Sequence, residues 1–410
     1  MPFTRVKISN LYSFNETELN MSFTRQPVNS PLDYECLVSR PKFYFKRVCI
    51  ISGANASGKT SFGRVLLGIQ NFIDKKQLLS SYLGAGLSIN NTASFEVDFV
   101  NINTNMHNSL YLTFNKDESG ALEIKELKFA SIFINKNDSC ASTTKKLQKM
   151  LSDGKIHKTD KSECINSDIQ GLIGALEAFK LVKGNYGWHY ILSENTETNN
   201  KFSNIDADVL AAVLKTFDNT IESVSSLVTK KNKTNKDKKE KSTAGEIEGY
   251  SILFSNNDKV MIDLEGDITN TNRLSRGTFE AIRISHLLSR LVKSYKNEQK
   301  TRKAYSSIFF LDEKMAYTHS ELEKLILTLI ISKLGRFSQF FYTTHNYDVL
   351  SLDLPIHSFI FTKKEEGFTQ FIEASSICKK NDRKLLSYVK NDCFGTLPDL
   401  SLIEEILFED

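Results

Sequence analysis

The chain has 410 residues, of which 40% are hydrophobic and 25% are charged, and its formal net charge is +4. This composition is ordinary for a globular protein, and the length suggests two or three structural lobes. Because no run of 18 or more apolar residues and no leader-like start is present, we expect neither a membrane span nor export. The six cysteines are scattered without C-x-x-C spacing, which favours a reducing, cytoplasmic compartment.

The N-terminal part of the chain carries strand patterns. Residues Arg5–Asn10 alternate like an opening strand, and Leu19–Thr24 could be its partner. Three more runs alternate and are separated by turn-rich segments, namely Ser94–Val100, Leu110–Phe114 and Leu122–Phe129. This pattern predicts an antiparallel meander with one buried face.

A glycine-rich loop at Gly53–Thr60 matches the phosphate-loop pattern G-x-x-x-x-G-K-[ST]. It follows a buried strand at Arg47–Ser52 and precedes a helix at Ser61–Ile73. In such a loop the backbone wraps phosphate oxygens, the lysine supplies charge and the Thr60 hydroxyl can hold Mg²⁺. We therefore predict a nucleoside triphosphate site formed by Gly53, Asn55, Ala56, Ser57, Gly58, Lys59, Thr60 and Ser61.

The middle of the chain changes character. Apolar residues at helical spacing in Ile169–Lys183 and Asp206–Val228 predict a helical insertion. No heptad pattern continues through it for the three or four repeats that a coiled coil needs. The segment Lys230–Lys241 is rich in lysine and has no apolar residue. It is interpreted either as a contact to nucleic acid phosphates or as a solvated loop, and its composition favours the loop. Strand patterns return at Tyr250–Phe254 and Val260–Leu264.

Three motifs follow in the C-terminal third. Leu274–Thr278 opens a long amphipathic helix, in which Ser275 is a plausible N-cap. A buried strand then ends in Asp312 and Glu313, where Asp312 can order Mg²⁺ and Glu313 can lie near an attacking water. A further strand ends at His345, which either donates a hydrogen bond to a γ-phosphate or caps the next helix.

Taken in this order, the motifs resemble those of ABC-type ATPases, in the branch that includes RecF, the SMC proteins and the overcoming-lysogenisation-defect ATPases. The loop Ala54–Thr60 is most similar to that of compact bacterial ATPases of phage-defence and abortive-infection systems. The resemblance covers roughly residues 1–130 and 245–400, including the opening Val6–Phe14 and the closing Phe394–Leu400.

The resemblance implies an α/β fold, an ABC-ATPase head with a P-loop core sheet, an antiparallel β subdomain and a helical insertion. The expected domains are an N-terminal ATPase lobe at 1–135, the insertion at 136–245 and a C-terminal lobe at 246–410.

The resemblance also implies ATP and Mg²⁺ as cofactors and a homodimer or higher oligomer closed by ATP. Ser275 and Gly277 of one head would contact the γ-phosphate held at Lys59 of the other. Glu313 would activate water and His345 would sense the γ-phosphate. Hydrolysis to ADP and phosphate would then release the pair.

Some residues depart from the family pattern. Arg276 stands where transporters have glycine, and the stretch Lys314–Ser320 keeps a histidine, His319, but lacks the usual proline. Gln70 lies in the phosphate-loop helix, too early for the glutamine that usually links the metal to the helical lobe.

The resemblance leaves three functions to compare. The first is an ATPase that regulates or scaffolds a separate effector, a nuclease or toxin, in anti-phage defence. The alternatives are a RecF-like DNA-repair ATPase and a transporter energiser. The opening strand and Arg276 argue against the transporter energiser. Since Asp382, Asp392 and Asp399 are dispersed among the 65 residues after His345, we expect no nuclease activity in this chain.

Overall fold

The computed structural model describes residues 1–25, 30–153, 157–159, 162–165, 186–192, 205–228, 247–301, 306–378, 385–397 and 401–408. The chain forms two compact units. The first comprises Met1–Ser193, Thr301–Glu313 and Leu334–Asp410, and the second comprises Glu194–Lys300 and Lys314–Lys333. Two predicted segments, the helix at Ile169–Lys183 and the lysine-rich Lys230–Lys241, lie outside the described residues.

The strands are, in chain order, β1 (Phe3–Ser9), β2 (Thr17–Asn20), β3 (Cys36–Leu37), β4 (Arg40–Tyr44), β5 (Val48–Gly53), β6 (Thr92–Asn101), β7 (Met106–Lys116), β8 (Leu122–Phe133), β9 (His157–Thr159), β10 (Ser162–Ile165), β11 (Tyr186–Ile191), β12 (Ile221–Val228), β13 (Ile247–Phe254), β14 (Lys259–Asp263), β15 (Ser306–Asp312), β16 (Gln339–Thr344), β17 (Phe359–Glu365) and β18 (Phe368–Glu373). The α-helices are α1 (Lys59–Lys75), α2 (Cys140–Asp153), α3 (Ala207–Phe217), α4 (Arg276–Thr301), α5 (Ser320–Ser332), α6 (Ala374–Ile377), α7 (Leu385–Lys390) and α8 (Ser401–Phe408).

The core sheet of the first unit has the strand order β11-β15-β16-β5-β17-β18. All neighbours run parallel except β17 and β18, which form an antiparallel hairpin. Every residue of β5, β15 and β16 is buried, as expected for parallel strands covered on both faces. Because Asp312 pairs with Thr343 and Thr344 pairs with Ser52, the ends of three strands meet at one edge of the sheet.

The antiparallel sheet of the first unit has the order β2-β1-β6-β7-β8-β10-β9. Helix α1 contacts both sheets, since the ring of Phe62 lies 6.5 Å from that of Phe310 in the core sheet and Phe72 lies 6.4 Å from Phe95 in β6. The α/β class, the core sheet that carries the glycine-rich loop and the antiparallel β subdomain are therefore confirmed.

The second unit contains α3, the three-stranded antiparallel sheet β12-β13-β14, α4 and α5 among its described residues. The prediction of a helix over Asp206–Val228 is wrong in its second half. Helix α3 ends at Phe217, because the Asp218 carboxylate accepts hydrogen bonds from the Thr220 N–H at 3.0 Å and hydroxyl at 2.6 Å, which fixes a turn. The chain then continues as β12.

The expected helical insertion also contributes to the core sheet. Strand β11 lies within it and pairs in parallel with β15 at the edge of the sheet. The limits of the insertion and of the two lobes stay predictions. Within the described residues, no helix combines the length and the apolar character needed to cross a bilayer.

A buried histidine makes the stability of the first unit depend on pH. His107 is fully buried, with its ring nitrogens each 2.8 Å from the hydroxyls of Thr4 and Thr143. Burial lowers the pKa of His107 from 6.5 to about 4, because the charged ring loses its hydration, although Asp98 opposes this effect.

The unfolded chain therefore binds this proton near pH 6.5, whereas the folded chain resists it until about pH 4. The resulting stability is present above pH 6.5 and is lost as the pH falls towards 4. Between pH 7 and pH 5, we expect the free energy of unfolding to fall by about 2 kcal/mol more in the wild type than in His107→Gln. Urea unfolding of both proteins at the two pH values measures this difference.

Candidate nucleotide site

The glycine-rich loop connects β5 to α1 at the edge of the core sheet. Gly58 is the N-cap of α1 and has φ +98°, and Ala56 has φ +59°, both in the left-handed region. A side chain at Gly53 or Gly58 would collide with β17 or β18, because an added Cβ would lie 2.3 Å from Thr362 Oγ1 or 2.5 Å from Thr369 Oγ1. The loop can therefore hold this shape only with glycine at both positions.

The side chains of the loop differ in exposure. Asn55 and Ala56 are exposed at its tip, Ser57 is buried, and Ser61 is half-buried in the first turn of α1. The first N–H groups of a helix have no acceptor within the helix, and the first turn of α1 contains no acidic residue. The start of α1 is therefore suited to an anion.

The ammonium group of Lys59 lies inside the loop. Its Nζ donates to the carbonyls of Gly53 and Ala54, each at 2.9 Å, and it forms an ion pair with Glu313 Oε1 at 3.1 Å. These three contacts match the three donors of an ammonium group. The loop thus holds a buried positive charge. A phosphate bound in the loop would compete with Glu313 for the Lys59 ammonium group.

Asp312 links the loop to the neighbouring strands. Its carboxylate is fully buried and accepts hydrogen bonds from the Thr60 hydroxyl at 2.8 Å and from the Thr343 hydroxyl of β16. The sequence analysis proposed Thr60 and Asp312 as metal ligands, and the structure brings them together across 252 positions of the chain.

Glu313 adopts an unusual backbone conformation. Its φ is +47°, in the left-handed region that non-glycine residues rarely occupy, at a typical cost of about 1–3 kcal/mol. The conformation is held by Thr343, which accepts from the Glu313 N–H with its carbonyl at 3.1 Å and its hydroxyl at 3.2 Å. The turn directs the Glu313 carboxylate to Lys59.

His345 follows β16 directly and is exposed at the same edge of the sheet. It does not cap the following 3₁₀ turn, because the N-cap there is Asn346, whose side chain accepts from the Asp348 N–H at 3.0 Å. Its interpretation as a helix cap is therefore wrong, and its role towards a phosphate stays a proposal.

The predicted signature residues lie in the second unit. Ser275 caps α4, since its Oγ accepts from the Thr278 N–H at 3.0 Å, and it is nevertheless exposed. An added Cβ at Gly277 would lie 3.4 Å from the Tyr317 carbonyl, so the first turn of α4 packs closely on the segment after Glu313. Arg276 lies over the Tyr317 ring at 5.3 Å and hydrogen-bonds its hydroxyl at 3.4 Å.

Helix α4 also contains a carboxyl group with a shifted pKa, that of Glu280. Burial raises the pKa of Glu280 to about 7, while the neighbouring charges of Lys314 and Arg283 lower it in part. His319, the histidine retained after Glu313, is the N-cap of α5 and accepts from the Glu321 N–H at 3.3 Å. Gln70 is buried within α1.

The residues of the first unit fit a nucleotide with a divalent cation. Thr60 and Asp312 present two oxygens 2.8 Å apart, close to the spacing of about 2.9 Å between adjacent ligands of an octahedral Mg²⁺. The loop supplies N–H donors and Lys59 supplies charge for phosphate oxygens. These groups could hold Mg²⁺ and a triphosphate.

Sequence reasoning missed three threonines that support the site. Thr343 lies in β16, and Thr362 and Thr369 lie in β17 and β18, which carry no recognised motif. Their strand patterns offered the only signal. Thr362 and Thr369 contact the loop, and Thr343 contacts Asp312 and Glu313. All these contacts depend on the order of strands in the core sheet.

Comparison with known proteins identifies no family. No protein-family model matches the chain, and no curated protein matches it. Among solved structures, it is similar to an SMC head bound to the C-winged helix domain of ScpA, with 12% identity, a TM-score of 0.42, and coverage of 91% of this chain and 97% of that one. It is also similar to the SMC head domain from Thermotoga maritima, with 11% identity, a TM-score of 0.35, and coverage of 91% and 99%. At these values neither likeness bears on function.

Proposed function

We propose that this chain is an ABC-type ATPase that binds ATP with Mg²⁺, hydrolyses it to ADP and phosphate, and pairs with a second copy through the bound nucleotide. The observation that carries the proposal is the hydrogen bond between Thr60 of the loop and Asp312 at the end of β15. It joins the phosphate loop to the two strand-end carboxylates, a combination used for phosphoryl transfer to water.

The residues have separate roles in this proposal. The loop N–H groups and Lys59 bind the phosphates, and Thr60 and Asp312 hold Mg²⁺, which supplies charge that offsets the negative phosphate oxygens. When Lys59 turns to the phosphates, its contact with Glu313 Oε1 is broken. The released carboxylate is then free to accept a proton from an attacking water, and His345 donates a hydrogen bond to the terminal phosphate.

Pairing of two copies is supported by the start of α4. Gly277 lies in the first turn of α4, and Ser275 is exposed at this helix start, which a phosphate of a second copy can approach. In the closed pair, each nucleotide would contact Lys59 of one copy and Ser275 of the other.

Replacing Ser275 by arginine should therefore prevent pairing but not nucleotide binding, because the larger side chain blocks the start of α4. At protein concentrations too low for pairing, we expect ATP affinity within about twofold of the wild type. At higher concentrations we expect no ATP-dependent rise in mass, as measured by light scattering. The control is Ser332→Arg at the exposed end of α5, which should pair normally. Unchanged pairing of Ser275→Arg would mean that this segment only caps the helix.

The wider role that we propose is regulation of a separate effector, a nuclease or toxin, in anti-phage defence. It is supported by the resemblance of the loop at 54–60 to those of compact phage-defence ATPases. To test it, Glu313→Gln is tagged at its native locus and purified with and without Mg²⁺ and ATP. A stoichiometric nuclease or toxin that appears only with ATP supports the proposal, whereas DNA without a protein partner would place the chain in the repair class.

A further inference from the structure

The phosphate loop is held from outside by a chain of buried hydroxyl groups, which we call the hydroxyl chain: Ser13, Thr369, Ser57 and Thr362. Thr362 and Thr369 are fully buried, and Ser57 is 3% exposed. The four residues belong to three separate parts of the first unit, namely the β1–β2 connection, the phosphate loop and the β17–β18 hairpin.

Thr369 forms the centre of one half of the chain. Its hydroxyl donates to the Ser57 carbonyl at 3.0 Å and lies 2.7 Å from Ser13 Oγ. Because a threonine hydroxyl has one proton, which Ser57 receives, Ser13 must be the donor in the second bond. The Thr369 N–H also donates to the Ser13 carbonyl at 2.7 Å, so the two residues are bonded twice.

The second half of the chain begins at the Ser57 side chain. Its Oγ lies 2.6 Å from Thr362 Oγ1, and either hydroxyl can donate in this bond. The Thr362 hydroxyl also lies 3.4 Å from the Ser52 carbonyl. Both the carbonyl and the hydroxyl of Ser57 are therefore fixed to the β17–β18 hairpin.

This arrangement determines where a phosphate donor points. In a planar trans peptide, the carbonyl and the following N–H point in opposite directions. Since Thr369 holds the Ser57 carbonyl towards β18, the Gly58 N–H is directed away from β18. Gly58 is the N-cap of α1, so this N–H is one of the donors at the helix start.

The β1–β2 connection that carries Ser13 is itself constrained. Asn10, Tyr12 and Glu16 all have positive φ, between 48° and 55°. Non-glycine residues keep such conformations only where surrounding contacts enforce them, and they cluster at functional sites. The β1–β2 connection, which holds Ser13 at the outer end of the hydroxyl chain, therefore has a defined backbone conformation.

We propose that Thr369 and Thr362 are positioning residues for nucleotide binding, which orient the phosphate loop through Ser57 without contacting the nucleotide. The inference rests on the proposed function, because it assigns these residues to the same nucleotide site. Loss of the Thr369 hydroxyl frees the Ser57–Gly58 peptide to rotate. ATP affinity then falls, while the proton transfer by Glu313 is left in place.

The test uses the full chain and a fluorescent ATP analogue with Mg²⁺. We expect Thr369→Val to raise both Kd and KM about tenfold, with kcat changed less than about threefold, because one oriented hydrogen bond is lost. Thr369→Ser keeps the hydroxyl and should restore Kd to within about threefold of the wild type. The matched control is Thr143→Val, which removes another fully buried hydroxyl, one that donates to the Cys140 carbonyl at 2.9 Å in α2.

The control separates positioning from stability. Thr143→Val should lower the melting temperature without changing Kd. If Thr369→Val also loses only melting temperature and keeps the wild-type Kd, the hydroxyl chain is structural and the inference is wrong. If the wild type itself does not bind the analogue, the proposed function is wrong and the inference with it.

A second variant keeps the test decisive if Thr369→Val does not fold. Ser13→Ala removes the outer donor at a half-buried position, and we expect it to raise Kd about threefold. Where both variants fold, Ser13→Ala combined with Thr369→Val should bind no more weakly than Thr369→Val alone, because both act through one chain of bonds. Wild-type affinity in Ser13→Ala, or full additivity in the double variant, contradicts the proposal.

Discussion

Replacing Lys59 by alanine is expected to raise the Kd for ATP at least about a hundredfold, which amounts to loss of measurable binding. The Lys59 ammonium lies between the carbonyls of Gly53 and Ala54 at the base of the phosphate loop. It is a buried charge directed into the loop, so alanine removes the attraction to the phosphates and leaves the Glu313 carboxylate without its counter-ion. Repulsion between this carboxylate and the triphosphate then adds to the loss.

Titration calorimetry with ATP and Mg²⁺ measures this effect. The control is Lys75→Ala, which removes an exposed lysine from the last turn of the same helix and should leave Kd unchanged. Retained ATP affinity in Lys59→Ala would show that the loop is not the nucleotide site.

Replacing Glu313 by glutamine is expected to reduce kcat at least about a hundredfold while ATP affinity is kept or increased. Glutamine has nearly the same shape but cannot accept a proton from water as a base. It also cannot form the ion pair with Lys59 that is seen at 3.1 Å, so the lysine turns to the phosphates at a lower cost. The variant should therefore accumulate as an ATP-bound pair.

Phosphate release under single-turnover conditions gives the rate, and light scattering gives the mass of the pair. Glu321→Gln, which changes an exposed carboxylate at the start of α5, is the matched control and should turn over normally. Normal turnover of Glu313→Gln would mean that Glu313 is not the base, and weaker ATP binding would contradict the competition between Glu313 and the phosphates for Lys59.

Much of the candidate site could be predicted from the sequence because its parts are local. The loop pattern fixed the positions of Lys59 and Thr60, and the apolar run before Asp312 and Glu313 identified a strand end. Helix α1 and the strands β1, β6, β7 and β8 of the antiparallel sheet also follow from residue periodicity. The predicted partner strand at Leu19–Thr24 is instead β2 at Thr17–Asn20, and β9 and β10 lie where the sequence predicted a helical insertion. The spacing of side chains reports directly on such local backbone repeats.

The differences between the sequence predictions and the structure have identifiable causes. In Asp206–Val228 the apolar residues of a short helix are followed by those of a strand, and only the turn at Asp218 shows where one ends. The Glu313 backbone could not be predicted either, because its left-handed conformation depends on Thr343 of the neighbouring strand. The local pattern around His345 also allowed it to cap the next turn, but Asn346 caps that turn in the structure.

The sequence by itself determined the phosphate loop, the strand that ends in two acids and the helix start at Ser275, since each is a run of adjacent residues whose pattern limits its own conformation. The tertiary structure determines that Thr60 hydrogen-bonds Asp312 and that Lys59 forms an ion pair with Glu313. It also determines that Thr362 and Thr369 hydrogen-bond Ser57. These contacts join positions up to 312 residues apart. They depend on the order of strands in the core sheet, which the pairing of whole strands determines and local spacing does not encode.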